Sequence, residues 1–426
     1  MKTAKDRTIR DALSALARER HGANVANGPS VHPFPARMPV PLAEYLLKAL
    51  LPKRGDVLDP MSGSGSTLVA ARKLGHSGHG VDIDPLAVLM SRSATASYER
   101  DVLDRLGNRA LKRAKHINND LGRSSVATML GSSEEERKFF AYWFPHKSQR
   151  QLFCLRQAIR KESRPELRNV AWAAFSSLII AKATSVSYAI DIPRSRPHKD
   201  EDREIEAPFE MWEQRFSQLV SRLPFLDKEP KAAAPSIRRG DARRLPQADN
   251  SLDVVLTSPP YLNAVDYLRG HKFSLVWMGH ALSALRKKRG RMIGSERGMW
   301  KPNGLPLSVE ETLSECFDKE RDRAVTRRYL SDLRYSMLEM KRVVRPGGLI
   351  AVVLGPSIVD RDEPDSIGIA RVMAKSAELH FVASVLRPLN KARRSLPPPD
   401  SVAKKSELAL RMSSEAIVVL RKKNDG

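Results

Sequence analysis

Cysteine is almost missing from this chain of 426 residues. Only Cys154 and Cys316 occur, and neither has a second cysteine or a histidine nearby at the spacing of a metal site. A disulfide framework needs several paired cysteines and a zinc site needs clustered ligands, so neither is indicated. We therefore expect no bound metal.

Long apolar segments are missing as well. The longest one covers residues 170–181, is flanked by Arg168 and Lys182, and is shorter than the roughly 20 residues that cross a bilayer. The N-terminal segment lacks an apolar core and mixes arginine with acidic residues, unlike a signal or transit peptide. The sequence predicts a cytoplasmic protein without a membrane partner.

Acidic residues are outnumbered by basic ones. The chain has 49 Asp and Glu against 73 Lys and Arg, which gives a formal net charge of +24. An excess beyond the needs of solubility indicates a polyanionic partner. The basic residues are spread along the chain and do not form one amphipathic helix beside apolar anchors, so nucleic acid is favoured over a membrane surface.

The succession of apolar and glycine-rich segments predicts an α/β protein with a doubly wound, mostly parallel sheet. Strand, tight turn and helix patterns follow one another twice, from Val57 and from Val81, and the sheet pattern resumes near Gly240. The segment between is charged and mostly helical, which predicts a large helical insertion. Apolar residues 381–386 and 416–420 predict an antiparallel strand pair that closes the sheet.

A glycine- and serine-rich turn follows the first predicted strand at residues 59–67 (Asp-Pro-Met-Ser-Gly-Ser-Gly-Ser-Thr). Its glycines allow the backbone to approach a ligand closely. A phosphate-binding P-loop has a lysine after its last glycine, whereas this turn has Ser66 there. Asp59 would also repel a phosphate, so the turn favours a cofactor that carries positive charge.

Asp82 and Asp241 follow further predicted strands. Asp82 lies at the distance at which dinucleotide-binding folds place an acid on a ribose hydroxyl, so a dinucleotide is one interpretation. S-adenosylmethionine fits better because its sulfonium and amino groups are cationic. Asp59 would complement those groups, Asp82 would bind the ribose, and Asp241 would accept from the adenine amino group.

The loop Thr257-Ser258-Pro259-Pro260-Tyr261 follows a predicted strand at residues 252–256. An exocyclic amine on a base is a weak nucleophile, because its lone pair is delocalised into the ring. Ser258 and the carbonyl of Pro259 can accept hydrogen bonds from its protons, the prolines fix these acceptors, and Tyr261 can stack on an extruded base. This loop predicts methyl transfer to an amino nitrogen through positioning and preorganised dipoles, without a covalent intermediate.

Two basic segments are candidates for contacts with a nucleic-acid backbone, although ordinary solvated loops are the alternative for both. One is the proline-interrupted loop at residues 191–199, and the other is the run at residues 286–291. The predicted contact residues are Arg194, Arg196, His198, Lys199, Arg286, Lys287, Lys288, Arg289 and Arg291.

At these motifs the chain resembles the amino-methyltransferases of bacterial restriction and modification systems, which make N4-methylcytosine and N6-methyladenine in DNA. That family has an Asp-Pro-x-x-Gly-Ser-Gly-Ser/Thr-Thr cofactor turn, as at residues 59–67, and a catalytic Asp, Asn or Ser before Pro-Pro-Tyr, as at residues 258–261. Residues 32–37 (His-Pro-Phe-Pro-Ala-Arg) resemble its His-Pro-aromatic segment, which packs on the methionine part of the cofactor. The cofactor turn precedes the catalytic loop, and residues 345–348 resemble the family's Pro-Gly-Gly turn.

The acids and the resemblance together give a set of expected site residues. The predicted cofactor contacts are His32, Pro33, Phe34, Asp59, Pro60, Ser62, Gly63, Gly65, Ser66, Thr67, Asp82, Asp84, Asp241, Ala242 and Thr257. The predicted catalytic residues are Ser258, Pro259, Pro260 and Tyr261.

The resemblance implies a Rossmann-like, S-adenosylmethionine-dependent DNA methyltransferase. Within the family, Thr-Ser-Pro-Pro-Tyr is associated with cytosine N4 and Asp-Pro-Pro-Tyr with adenine N6. The predicted reaction is methyl transfer to N4 of a cytosine flipped out of double-stranded DNA. N6-adenine methylation, RNA methylation and a catalytically silent DNA-binding subunit are the alternatives, and a cognate restriction endonuclease is a further suggested partner.

The motifs divide the chain into three parts. Residues 1–90 contain an N-terminal helix and the cofactor half of the sheet, and residues 91–235 form the helical insertion, a candidate for target recognition. Residues 236–426 contain the catalytic loop, a basic loop at 286–304 and the closing strands.

Overall fold

The computed structural model describes residues 4–18, 31–33, 38–122, 126, 133–181, 185–192, 197–261, 267–295, 305, 320–355, 366–388 and 414–424. The described strands are β1 (Asp56–Asp59), β2 (Ser77–Asp82), β3 (Ala189–Ile190), β4 (His198–Lys199), β5 (Ser236–Arg239), β6 (Leu252–Thr257), β7 (Val344–Leu354), β8 (His380–Pro388) and β9 (Ser414–Arg421). β3 and β4 pair as a short separate hairpin, and the other strands form one sheet.

The main sheet has the order β5-β2-β1-β6-β7-β9-β8. Pairing is parallel from β5 through β7, and β9 is antiparallel to both of its neighbours. The chain winds outward in one direction from β1 and in the other from β6, so the switch point lies between these two strands. The predicted doubly wound, mostly parallel α/β sheet is confirmed, and its antiparallel strand lies inside the sheet between β7 and β8.

The central strands are apolar on both faces. Val57, Leu58, Val254, Val255 and Leu256 are all at most 1% exposed. A parallel strand covered by helices on both sides needs such a continuous apolar run, because neither face reaches water.

β7 is longer than the sequence predicts. Residues 345–348 are predicted to form a turn, whereas the strand already begins at Val344 and includes them. The chain beyond β9 explains the difference. Gly347 N donates to Lys422 O over 3.0 Å and Lys422 N donates to Gly348 O over 3.1 Å, which continues the pairing through the glycines.

Helices cover both faces of the sheet. The described helices are α1 (Ala4–Arg18), α2 (Val40–Leu50), α3 (Ser66–Leu74), α4 (Pro85–Thr95), α5 (Arg100–Asp120), α6 (Glu134–Trp143), α7 (His146–Arg160), α8 (Pro165–Ile180), α9 (Pro208–Val220), α10 (Tyr267–Trp277), α11 (Leu282–Arg289), α12 (Glu320–Val343) and α13 (Ser366–Ser376). α1, α2 and α3 pack on one face, whereas α12 and α13 pack on the other.

A third core joins the helices between β2 and β5 to the sheet domain. Apolar residues of α5 to α9 pack in one cluster with residues of α4, α10 and α11. The aromatic residues Phe139, Phe140 and Phe144 belong to that cluster and are at most 9% exposed. In the part of the chain that the structure describes, every helix is too short or too polar to cross a bilayer.

Candidate active site

The carboxyl ends of β1, β2 and β6 border a cavity of about 840 Å³, measured to include its opening. The predicted site residues in its wall are Asp59, Pro60, Ser62, Gly63, Ser66, Thr67, Asp82, Asp84, Asp241, Ala242, Ser258 and Pro260. The structure therefore brings the cofactor turn and the catalytic loop to the same cavity.

Several predicted residues lie elsewhere. His32, Pro33, Gly65, Thr257, Pro259 and Tyr261 are not in the cavity wall, and Phe34 lies outside the described residues. Gly65 has a φ of 85° at the start of α3, and a Cβ there would lie 3.0 Å from Ser91 Cα. Its contribution is the shape of the turn, because only glycine adopts this conformation readily in so little space.

Asp59 links the cofactor turn to the end of β6. Its Oδ1 accepts hydrogen bonds from Thr257 Oγ1 over 2.7 Å and from Met61 N over 3.2 Å. Burial raises the pKa of Asp59 to about 6, against the opposing effect of these hydrogen bonds and one from Thr67. Thr257 thus lies behind the cavity and donates a hydrogen bond to Asp59, an acid in the cavity wall.

Asp82 shapes the same turn from β2. Its Oδ2 accepts from Gly63 N over 2.8 Å and its Oδ1 accepts from Asp84 N over 2.9 Å. Burial, followed by the charge of Asp84, raises the pKa of Asp82 to about 7. Each carboxylate oxygen has more than one acceptor position, so Asp82 can still accept from a ligand in the cavity.

Asp84 is already bonded at both oxygens. Oδ1 accepts from Leu86 N over 2.9 Å, which caps α4, and Oδ2 is 2.5 Å from His271 Nδ1 on α10. Both side chains are at most 4% exposed. Asp84 therefore fastens α10 to the end of β2.

His32 lies near the Asp84–His271 pair and hydrogen-bonds to α8. Its Nε2 is hydrogen-bonded to Ser176 Oγ over 2.9 Å, and Ser176 Oγ donates to Ser274 Oγ over 2.8 Å. Burial and the nearby His271 lower the pKa of His32 to about 3, so the ring is neutral. The histidine predicted to touch the cofactor instead joins α8 and α10.

Asp241 is clamped by an arginine that the sequence analysis missed. Arg243 donates to both carboxylate oxygens, Nε to Oδ1 over 2.9 Å and Nη2 to Oδ2 over 2.7 Å. The same guanidinium contacts Asp332 Oδ1 over 2.5 Å and Arg291 O over 2.6 Å. Burial opposes the charge of Asp241, but the hydrogen bonds from Arg243 lower its pKa below the usual value.

Tyr261 packs tightly behind Ser258. A Cβ at Gly355, just after β7, would lie 2.2 Å from two carbons of the Tyr261 ring. Burial raises the pKa of the Tyr261 phenol against the opposing effect of Ser258, so the phenol stays protonated. Gly355 leaves the space that this ring occupies.

The sequence analysis also missed part of the cavity wall. The missed wall residues are Met38, Met61, Ser64, Ile83, Ala87, Tyr267, Met292 and Ile293. Ile83 lies between two acids at a strand end, and this pattern could have predicted its place in the wall. No local pattern predicts Tyr267. Burial and the charge of Asp82 raise the pKa of the Tyr267 phenol.

The structure gives the basic segments different surroundings. Arg286 forms a two-pronged ion pair with Glu135, with 2.8 Å between Nη2 and Oε2. Lys199 Nζ lies 4.4 Å from the ring centre of Tyr142 and pairs with Glu201, whereas His198 is exposed. Arg291 lines the cavity. Arg194 and Arg196 lie outside the described residues.

The fold is the doubly wound α/β sheet that the sequence predicts for an S-adenosylmethionine-dependent methyltransferase. A glycine-rich turn follows β1, and acids lie at the ends of β1 and β2 beside the cavity. Raised pKa values at Asp59 and Asp82 show two carboxylates that lack a compensating positive charge, and a cationic ligand would supply it.

Comparison with known proteins finds similar DNA methyltransferases. A sequence model described as DNA methylase matches residues 4–92. The type II methyltransferase M.MvaI of Kocuria varians is 22% identical over 92% of this chain and 90% of its own length. The type II methyltransferase M.MjaII of Methanocaldococcus jannaschii is 27% identical over 139 residues. The aligned part is 32% of this chain and 25% of that relative.

These matches support the resemblance to the DNA amino-methyltransferases predicted from the motifs, a family whose cofactor is S-adenosylmethionine. The family match includes the cofactor turn and ends before the catalytic loop. Among solved structures, a geranyl diphosphate methyltransferase in complex with S-adenosylmethionine aligns with a TM-score of 0.33 and 10% identity, over 91% of this chain and 86% of that one.

Proposed function

We propose that this protein is a DNA methyltransferase that transfers the methyl group of S-adenosylmethionine to N4 of a cytosine flipped out of double-stranded DNA. One observation carries the proposal: Ser258 and Pro260 of the catalytic loop border the same cavity as Asp59 and Asp82. A methyl donor and an amine acceptor must meet in one place, and this cavity offers a surface for each.

Asp59 and Asp82 would hold the cofactor. S-adenosylmethionine supplies an electrophilic methyl group on a sulfonium centre. Asp59 would face the cationic part and Asp82 the ribose hydroxyls, while the turn from Ser62 to Thr67 approaches through its backbone. The fit rests on charge, because the buried carboxylates gain from a cation in a site of low polarity.

The catalytic loop would orient the amine. Ser258 Oγ and the carbonyl of Pro259 accept hydrogen bonds from the amino protons, which directs the nitrogen lone pair towards the methyl group. After transfer the nitrogen releases one proton, and no residue becomes covalently attached. Such positioning and preorganised dipoles account for large rate gains.

Cytosine is proposed over adenine because a serine, and not an aspartate, precedes Pro-Pro-Tyr. The net charge of +24 supports a nucleic-acid substrate. The M.MvaI and M.MjaII relatives are type II methyltransferases, which supports a role in site-specific modification.

The test combines the protein, genomic DNA and methyl-labelled cofactor, followed by separation of the nucleosides. We expect label in N4-methylcytosine. Label in N6-methyladenine would replace the proposed base and keep the reaction, and DNA without label would refute both. Ser258→Ala should lose the transfer while Ser251→Ala keeps it. Ser251 lies just before β6, and its hydroxyl bonds only to the nearby Ala248 O.

A further inference from the structure

Four basic side chains gather at the rim of the cavity, near the ends of β5 and α11. Arg239 is the last residue of β5, His280 lies between α10 and α11, Lys288 is in the last turn of α11, and Arg291 borders the cavity. Lys288 is within electrostatic range of Arg239 and Arg291, and His280 is within range of Lys288 and Arg239. We call these four residues the rim cluster.

Among the residues that the structure describes, no carboxylate forms an ion pair with any side chain of the rim cluster. Asp241 interacts with the charge of Arg291, but Arg243 already pairs with that acid. The acid that acts on both His280 and Lys288 is Asp84, whose two oxygens are already bonded to Leu86 N and His271. Arg286 and Arg243 differ, because each is held by acids.

Keeping such cations together costs free energy. Burial, and then the charge of Arg239, lower the pKa of Lys288, and burial followed by Lys288 and Arg239 lowers the pKa of His280. Arg239 and Arg291 are exposed while the other two are half-buried, so a ligand can reach the cluster. An anion bound among them would relieve the repulsion.

We infer that the rim cluster binds a backbone phosphate of the substrate DNA. This inference rests on the proposed function. Strands β5 and β6 are separated by β2 and β1, which places the end of β5 about 14 Å from the catalytic loop at roughly 4.8 Å per strand. At about 3.4 Å of rise per base pair, this corresponds to a phosphate roughly four base steps from the target.

Neighbouring lysines provide a matched pair of variants. Lys287 and Lys288 are adjacent in α11, but Lys287 is exposed and is not among the charges that shift the pKa of His280 or Lys288. The experiment measures binding of a fluorescein-labelled 30-base-pair duplex by anisotropy at several salt concentrations, for the wild type, Lys287→Gln, Lys288→Gln and Arg239→Gln. The slope of log K against log salt reports the number of phosphates neutralised.

We expect Lys288→Gln and Arg239→Gln each to weaken binding and to lower the slope by about 0.9, the value for one lost phosphate contact. Lys287→Gln, at a candidate contact outside the cluster, should lower the slope less than Lys288→Gln does. Equal slopes for Lys287→Gln and Lys288→Gln, or a wild-type slope in both cluster variants, would overturn the inference. Melting temperatures of the variants check that each one is folded.

The proposed function is measured on the same preparations. A wild-type protein that labels DNA, together with unchanged slopes in the variants, would refute the phosphate site alone. A wild-type protein that labels no DNA but keeps the expected slopes would refute the proposed reaction and leave the anion site in place.

Discussion

The acids in the two walls of the cavity have pKa values that are shifted in opposite directions. The first wall, residues 59–87, places Asp59 and Asp82 at strand ends, and their pKa values rise to about 6 and about 7. The second wall, residues 241–293, contains Asp241, whose charge Arg243 already neutralises and whose pKa falls. Both walls present a carboxylate, but only the first lacks a cation.

The difference separates a binding surface from a structural clamp. Hydrogen bonds from backbone N–H groups hold the carboxylate of Asp82 in place without cancelling its charge. Arg243 instead joins three elements by hydrogen bonds. It contacts Asp241 in the turn after β5, Asp332 on α12 and the carbonyl oxygen of Arg291 in the loop after α11. We expect the first wall to control cofactor affinity and the second wall to control stability.

The largest effect should come from Arg243→Met, which leaves Asp241 and Asp332 without their partner. Removal of one member of a buried ion pair costs about 3–5 kcal/mol in the free energy of unfolding, and Arg243 is only 10% exposed. Urea unfolding measures it. The control is Arg286→Met, whose pair with Glu135 is 60% exposed at the arginine and should cost less than about 1 kcal/mol. Similar losses in both variants would contradict the clamp.

Asp82→Asn should mainly weaken cofactor binding. A hydrogen bond to a charged group contributes about 1.5–3 kcal/mol, so we expect a dissociation constant for S-adenosylmethionine about 10- to 100-fold higher by calorimetry. Asp241→Asn serves as the comparison and should change the affinity less, because Arg243 already offsets that charge. If Asp241→Asn weakened binding more than Asp82→Asn, the roles of the walls would be reversed.

Gly355→Ala tests how the second wall is held behind the catalytic loop. The added Cβ would displace the Tyr261 ring, so we expect slower methyl transfer with unchanged cofactor affinity. In a Tyr261→Ala background the same change should cost little, which gives a coupling energy of about 0.5–3 kcal/mol in a double-mutant cycle. Additive losses would mean that Gly355 acts through something other than Tyr261.

The smallest expected effect is a dependence of cofactor affinity on pH. Asp59 and Asp82 are largely protonated at pH 5 and ionised above pH 7, since their pKa values are about 6 and about 7. A cation binds the ionised form better, so affinity for S-adenosylmethionine should rise between pH 5 and 7.5. Asp82→Asn should remove the upper part of this rise. An affinity that falls over this range would exclude both acids as cofactor ligands.

The sequence predicted the first wall better than the second. Strand, turn and acid follow one another in residues 57–67 and 81–84, so apolar runs and glycines suffice to place them, and the fold class is confirmed. The second wall depends on residues that meet only through packing, as Arg243 meets Asp332. No local pattern predicts that Tyr267 and Met292 border the cavity or that His32 bonds to Ser176. The roles of the individual site residues stay predictions.

The interior position of β9 bears on the order in which the sheet assembles. β8 joins the sheet through β9, and α1 packs on this edge through Arg10 Nε, which donates to Val382 O over 3.1 Å, and through Asp6, which lies 2.5 Å from Arg421. Such contacts close very long loops and therefore form slowly. The strands of the main sheet pair without them, so pulse-labelling hydrogen exchange should find these strands protected before α1. The binding site would then take shape before the N-terminal helix docks.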